Sequence, residues 1–166
     1  MANTFAAIAT ATAGSGGLAS IQFTSIPNTY TDLCIKLSAR TTNAYFRDSV
    51  EIRFNSVNAN LACTFIIGQT STVSAGPASV VTVEVEGNTN NANLFSIGDI
   101  YIPSYRSSNY KNVSVTYGSP NTTSGSNAIG MTSGIWSDTS AITSIILTSA
   151  SFMQYSTATL YGIKNT

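Results

Sequence analysis

Apolar residues recur at every second position along most of this chain. Leu33, Ile35 and Leu37 share one face of an extended segment, and Cys34 and Lys36 share the other. This period of two is typical of a β-strand with one buried and one solvated face. The clearest segments of this kind are residues 18–23, 33–39, 50–54, 81–86 and 113–117.

Weaker segments with the same character complete the pattern. They are residues 63–67, 94–102, 128–136, 142–147 and 158–163, and the separators 26–28, 75–77, 87–91 and 117–121 carry turn residues. No window shows the three- and four-residue spacing of an amphipathic helix. We therefore predict an all-β protein, an antiparallel β-sandwich of eight to ten short strands without substantial helix. Eight strands in two sheets make a jelly roll the favoured architecture.

The first seventeen residues differ from the rest because they are rich in Ala, Thr and Gly and carry no charge. Two interpretations stay open for residues 1–17. They form either an N-terminal arm that orders against a partner or a first strand through Phe5, Ala7 and Ala9 followed by a glycine turn. Residues 18–166 form the sandwich domain in both cases.

Composition removes several classes of function. The chain has 166 residues with 7 basic and 7 acidic side chains, zero net charge and no histidine. Without histidine, Ser-His-Asp and Cys-His catalysis are excluded. A chain with zero net charge lacks the excess of basic residues that is typical of nucleic-acid-binding proteins. No apolar run is long enough to span a membrane as a helix. Ser, Thr and Asn number 24, 23 and 15, so uncharged polar groups solvate the surface.

The cysteines Cys34 and Cys63 are the only two in the chain. Two cysteines in a chain long enough to bury its own core are not a disulfide framework. Free thiols in a reducing cytoplasm are the favoured interpretation, and a single disulfide is the alternative.

Acidic residues offer little chemistry. Glu84 and Glu86 share a strand face, and Asp99 could lie nearby, which is the minimum that glycoside hydrolysis requires. A solvated strand edge explains them better. The remaining aspartates are too far apart in sequence to suggest a calcium loop. We therefore expect no catalytic residue, no cofactor-binding residue and no metal site, and we expect that the protein is not an enzyme.

Aromatic residues in two loops are the stronger candidates for contact. Tyr45 and Phe46 lie beside Arg47 and Asp48, and a second group of tyrosines falls at 101, 105 and 110. Tyrosine and arginine dominate protein-contact hot spots, and tyrosine also stacks on sugars. Loops 45–48 and 104–110, together with residues 1–17, are thus candidate contact segments. The alternative, which composition leaves equally open, is that Tyr101 belongs to the core and the other aromatic residues cap it.

Several strings in fixed order resemble a family of jelly-roll virion proteins of tailed bacteriophages, including cyanophages. They are SIPNTYTDL at 25–33, SAR at 38–40, IRFN at 52–55, IYIPSY at 100–105, GIWSDT at 134–139, AITSI at 141–145 and STATLYGIK at 156–164. The resemblance covers about residues 18 to 164. It implies no catalytic residues.

The resemblance implies a virion structural protein, either a capsid decoration (cement) protein or a tail-fibre domain. A cement protein would bind the outer head surface after assembly in the host cytoplasm. Its partners would be the major capsid protein and itself as a homotrimer, with no nucleic acid and no membrane. The alternative is a receptor-binding module that grips cell-surface glycans through its tyrosine loops. We favour the cement role, because neither coiled-coil heptads nor a fibrous repeat provide a stem for a fibre tip.

Overall fold

The computed structural model describes residues 4–121 and 127–164 of the chain, and these residues form an all-β structure without a helix. Every paired strand runs antiparallel to its neighbour. The strands are β1 Phe5–Thr12, β2 Leu18–Phe23, β3 Asp32–Ala39, β4 Arg47–Phe54, β5 Leu61–Gln69, β6 Val73–Ala78, β7 Thr82–Glu86, β8 Ser96–Ile102, β9 Lys111–Ser119, β10 Ala128–Trp136, β11 Ile145–Phe152 and β12 Thr157–Ile163.

Two sheets of unequal size share these strands. The large sheet has eight strands in the order β1-β12-β3-β8-β9-β10-β5-β6, and the small sheet has four in the order β2-β11-β4-β7. The chain crosses repeatedly from one sheet to the other, so neighbours in sequence often lie in different layers. This confirms the predicted β-sandwich.

One hydrophobic core lies between the sheets. The small sheet contributes Ile52 and Phe54, and the large sheet contributes Ile35, Ile100 and Leu160, all of which are almost completely buried. Their polar strand neighbours face outward, as the period of two predicts. Burial of such side chains contributes about 1.5–3 kcal/mol each, so the interface between the layers is the main source of stability.

The strand count and some boundaries differ from the prediction. Twelve strands form instead of eight to ten. The predicted turn at 75–77 lies inside β6, which is an edge strand and can therefore contain Pro77. The predicted turn at 117–121 begins inside β9, which continues through Gly118 to Ser119. Strand β11 begins at Ile145 and not at residue 142. Phe5–Thr12 is a strand that pairs with β12, with Ala13 buried behind it.

The strand directions place the loops at two opposite ends of the sandwich. Strand β3 runs from Leu33, opposite Ile102, to Ala39, opposite Ser96. Loop 103–110 follows Ile102 at one end, which we call the Tyr110 end. Loop 40–46 follows Ala39 at the other, which we call the Tyr45 end and which also holds loop 87–95.

Candidate functional site

The two tyrosine-bearing loops do not form one site, because they lie at opposite ends of the sandwich. At the Tyr45 end, Tyr45 is 71% exposed and Phe46 is 54% exposed. Their backbone is held in place: the Gly87 amide donates to the Phe46 carbonyl at 2.9 Å. The Asp48 carboxylate accepts hydrogen bonds from Asn43 and Ser149. Two exposed aromatic rings thus stand on a fixed loop, which suits protein contact.

The Tyr110 end is built differently from the prediction for loop 104–110. Tyr105 is buried and its hydroxyl donates to the Pro27 carbonyl, so this residue belongs to the core and not to a contact surface. Tyr101 donates to Asp32 at 2.9 Å, and the other oxygen of that carboxylate accepts from the Ser104 amide at 2.8 Å. Of the predicted tyrosines at this end, Tyr110 is the one whose side chain is mostly exposed.

A small cleft lies beside these groups at the Tyr110 end. It has a volume of about 330 Å³ and is lined by Thr31, Ser104, Arg106 and Ser107. The Arg106 guanidinium donates to the Asn28 carbonyl, which ties the loop to the segment before β3. Hydroxyl and guanidinium groups of this kind can form hydrogen bonds with a sugar, and Tyr110 is exposed at the same end of the sandwich.

Glu86 does not lie on a solvated edge, so the interpretation of Glu84 and Glu86 as a solvated pair was wrong for Glu86. Its side chain is fully buried. Its carboxylate accepts hydrogen bonds from Asn90, Ser96 and Ser119. Burial raises the pKa of the Glu86 carboxyl, and these serine hydrogen bonds and nearby arginine charge counter part of that rise. Sequence position alone gave no sign that this end of β7 is covered by the large sheet.

Arg40 completes the buried cluster beside Glu86. The guanidinium is almost fully buried and donates to four backbone carbonyls of loop 87–95, those of Asn88, Asn90, Asn91 and Leu94. A buried guanidinium without hydrogen-bond partners would cost free energy, and here the four carbonyl oxygens accept its hydrogen bonds. Arg40 and Glu86 therefore organise the loop at the Tyr45 end, and neither is free to act on a substrate.

The other acidic residues do not assemble a reaction centre. Asp99 lies on the large sheet, where it forms an ion pair with Lys36 at 2.8 Å, whereas Glu84 accepts a hydrogen bond from Ser49 in the small sheet. In the described parts of the chain, no group of three or more Cys, Asp or Glu side chains could hold a metal ion.

Buried Lys111 was not recognised from the sequence as a structural residue. Its ammonium group donates to the Asn109 carbonyl at 2.7 Å and the Asp138 carbonyl at 3.2 Å, and it lies 5.7 Å from the centre of the Trp136 ring. Burial lowers the pKa of Lys111. The residue therefore joins two loops of the Tyr110 end.

Both cysteines are free, as the favoured interpretation predicted, and both are buried, although the alternation of β3 placed Cys34 on the solvated face. Cys34 is in β3 and Cys63 is in β5, and strands β8, β9 and β10 lie between them. Four strand spacings of about 4.8 Å separate the two thiols by roughly 19 Å, too far for a disulfide. Burial raises the pKa of both thiols.

The outer face of the large sheet is the most distinctive surface of the molecule. Ile97 and Ile129 are 68% and 70% exposed, and Met131 and Ile66 are about half exposed. The register places these side chains together, because Ile66 pairs with Met131, and Gly118 pairs with both Ile97 and Ile129. We call these residues, with Val73 of the adjoining edge strand, the apolar face.

Two open grooves cross the apolar face. Their volumes are about 570 and 560 Å³, and both are bordered by Ile97, Gly118 and Ile129. Because Gly118 has no side chain, the two isoleucines stand as ridges on either side of it, roughly 10 Å apart at two strand spacings. Such a surface is shaped to receive apolar side chains rather than a small polar substrate.

No family model, curated protein or solved structure matches this chain. Over the described residues, the structure contains no helix that is long and apolar enough to cross a membrane. The fold and the surface define a β-sandwich protein whose distinctive feature is a broad apolar sheet face.

Proposed function

We propose that this chain is a non-enzymatic structural protein of a tailed-bacteriophage virion, a decoration (cement) protein that binds the outer head surface. It stabilises contacts between major capsid subunits by adding interface area, because ligands that bind only the assembled state stabilise it by mass action. The observation that carries the proposal is the Tyr45 end, where the exposed rings of Tyr45 and Phe46 stand on a loop held by backbone hydrogen bonds and offer a surface suited to protein contact.

Charge supports the same role. The chain has zero net charge, and its few charged residues are balanced at 7 basic and 7 acidic. Many copies of such a protein can coat one particle without accumulating electrostatic repulsion. The ordered strings between residues 25 and 164 add the resemblance to phage virion proteins, which brings the homotrimer and the major capsid protein into the proposal as partners.

The Tyr45 end is our candidate for the contact with the shell. Tyr45 and Phe46 are exposed, and the loop beneath them is fixed by the Arg40 and Glu86 cluster. Aromatic anchors on a rigid support lose little conformational entropy when they bind. Residues 5–12, in contrast, are engaged with β12 and do not form a free arm in this structure.

A tail-fibre or receptor-binding module is the second candidate. The cleft at the Tyr110 end favours it, because Arg106 and the hydroxyl groups of Ser104 and Ser107 line it. In this role Tyr110 would stack on a sugar ring of a cell-surface glycan.

Immunogold electron microscopy of purified virions, with an antibody against this chain, distinguishes the two roles. Label over the head supports the cement role, whereas label confined to the tail supports the glycan module. Virions without label overturn both. Binding of the recombinant protein to heads then tests the surface: Y45S/F46S is expected to weaken attachment by about 100-fold, as loss of two hot-spot aromatics would. Y110S at the opposite end is the matched control, and equal losses in the two variants would contradict this orientation.

A further inference from the structure

We propose that the apolar face binds a neighbouring copy of this same chain, with an apolar side chain of that copy seated over Gly118 between Ile97 and Ile129. The proposal concerns self-association and holds whether the chain coats a phage head or not. It starts from an excess of exposed apolar surface. Ile97, Ile129 and Val73 are each about 70% exposed, although they lie within regular strands where a polar residue would serve as well.

The size of the outer face of the large sheet fits an interface between two protein chains. The apolar face spans the five strands from β8 to β6, four strand spacings of about 4.8 Å and a mean strand length of about eight residues, which gives roughly 19 by 27 Å or about 500 Å². This is as large as the largest apolar patches that monomeric proteins usually expose. With the three remaining strands, β3, β12 and β1, the outer face reaches roughly 900 Å², which is close to the surface buried per partner in a standard stable complex.

The charge on this face identifies a copy of the chain as the occupant. Lys36 and Asp99 lie next to each other on the face and are each about half exposed. The face is otherwise lined by uncharged side chains such as Thr116 and Thr64. A basic or acidic partner would find no net attraction there, whereas a second copy can set its Asp99 against Lys36 around a symmetry axis. The zero net charge of the chain also removes long-range repulsion between copies.

The shape of the face is self-complementary. Gly118 leaves a depression between two isoleucine ridges, and the same face carries Met131 and Ile66, which project from it. A methionine side chain is flexible enough to fit an irregular groove. Ridges of one copy can therefore fill the grooves of the next and exclude water from both.

Sedimentation velocity of the full chain from micromolar to near-millimolar concentration tests the proposal. We expect a defined assembly whose mass is a small multiple of 17.4 kDa. I97S/I129S is expected to weaken association by about 100-fold or more, since two central apolar contacts are lost. I146S, on the outer face of the small sheet, is the matched control and should associate like the wild type. Circular dichroism and thermal unfolding confirm that each variant is folded.

A second variant separates a specific interface from a merely adhesive surface. A Cβ at Gly118 would lie 3.6 Å from the nearest atom of Ile97, an ordinary van der Waals contact, so the strand has room for a Cβ at this position. G118V adds apolar area and occupies the depression, and the same circular dichroism and thermal unfolding check that it is folded. The proposal expects weaker association, by about tenfold or more, from steric blocking. The proposal is overturned if the wild type stays monomeric or forms aggregates without fixed size. It is overturned equally if association survives I97S/I129S, or if G118V associates as well as the wild type.

Discussion

The two outer faces of the sandwich differ in what their side chains offer to the surroundings. The small sheet presents an ion pair between Arg53 and Glu51 at 2.8 Å, and Ile146 lies between the long side chains of Gln22 and Arg53. The large sheet presents the apolar face. Among the described strand residues, every exposed large apolar side chain belongs to the large sheet: Phe5, Ile66, Val73, Ile97, Tyr101, Ile129 and Met131.

This difference shows that apolar residues in this chain serve two purposes. Strand β10 makes the point, because Gly130 and Gly134 lie on its core side, along with Trp136, while Ile129 and Met131 face outward. The small residues are required inside by neighbours, since a Cβ at Gly134 would lie 2.6 Å from a methyl of Val81. The large residues outside do not belong to the core, and the contact with a second copy that we propose would account for them.

The largest predicted effect on stability comes from comparing a core residue with an outer-face residue of the same strand, β8. Ile100 is fully buried and Ile97, three residues earlier in β8, is mostly exposed. I100A is expected to lower the free energy of unfolding by about 2–5 kcal/mol, because it removes buried methyl groups and leaves a cavity. I97A removes the same atoms from the apolar face and is expected to cost less than about 0.5 kcal/mol. Urea unfolding of both variants at concentrations where the chain is monomeric measures the contrast. Equal losses would show that the outer face belongs to the folding core.

A pair of glycines tests the same contrast by adding atoms. At Gly130 a Cβ would lie 2.2 Å from the ring of Tyr117, which is buried and whose pKa is raised by that burial to about 12. G130A should therefore destabilise the protein by about 1–3 kcal/mol through overpacking. At Gly118, on the outer face, the nearest atom is 3.6 Å away, and G118A should change stability by less than about 0.5 kcal/mol. Thermal unfolding of both variants provides the measurement, and tolerance of G130A would refute the packing argument.

These positions also show how far the sequence predicts the structure. Strict alternation in β4 correctly predicts a strand with one buried face, because one set of residues is apolar and the other is polar. In β3 the prediction was wrong for Asp32 and Cys34, which were expected on the solvated face and are buried. In the first half of β10 the alternation is inverted, with Ile129 and Met131 outside and Gly130 inside, whereas Trp136 at the end of the strand is buried. The side chains of Tyr117 in β9 and of Val81, just before β7, explain the two glycines. A sequence records the period of a strand but not which neighbours will fill the space beside it.

The candidate site was less predictable than the fold for the same reason. Exposed Tyr45 and Phe46 follow from their loop, but Tyr105 was wrongly expected at the surface because its partner, Pro27, is 78 residues away. Glu86 was wrongly placed in solvent for the same reason, since Ser119 reaches it from another sheet. Local composition could not reveal either contact.

The third prediction uses charge on β7, where Glu86 is buried and Glu84 is partly exposed. Because burial raises the pKa of Glu86 above its ordinary 4.5, the folded state binds its proton more tightly than the unfolded state. The stability that this proton provides is complete below pH 4.5 and is lost as the pH rises through the raised pKa. Denaturant unfolding between pH 4 and 8 should therefore show the wild type losing stability relative to E86Q as the pH increases. E84Q, which removes a carboxylate from the same strand, is the control. A constant difference between wild type and E86Q above pH 4.5 would contradict the role of burial.

The smallest expected effects come from the ion pairs, one on each outer face. Lys36–Asp99 on the large sheet and Arg53–Glu51 on the small sheet both join at 2.8 Å, and the side chains of the first are about half exposed. Solvent screens such pairs, so double-mutant cycles of K36M with D99N and of R53M with E51Q should each give less than about 1 kcal/mol for the monomer.

The two pairs should differ once the chain associates. Between copies, Lys36 and Asp99 approach each other in a less hydrated interface, where charge pairs fix orientation and the wrong pairing is costly. K36M and D99N are therefore each expected to weaken association measurably, whereas R53M and E51Q leave it unchanged. Sedimentation velocity at low and high salt measures the association of each variant. We expect association to depend on salt only in chains that retain both Lys36 and Asp99. Association that responds equally to both ion pairs would mean that the polar outer face of the small sheet, and not the apolar face alone, takes part in the contact.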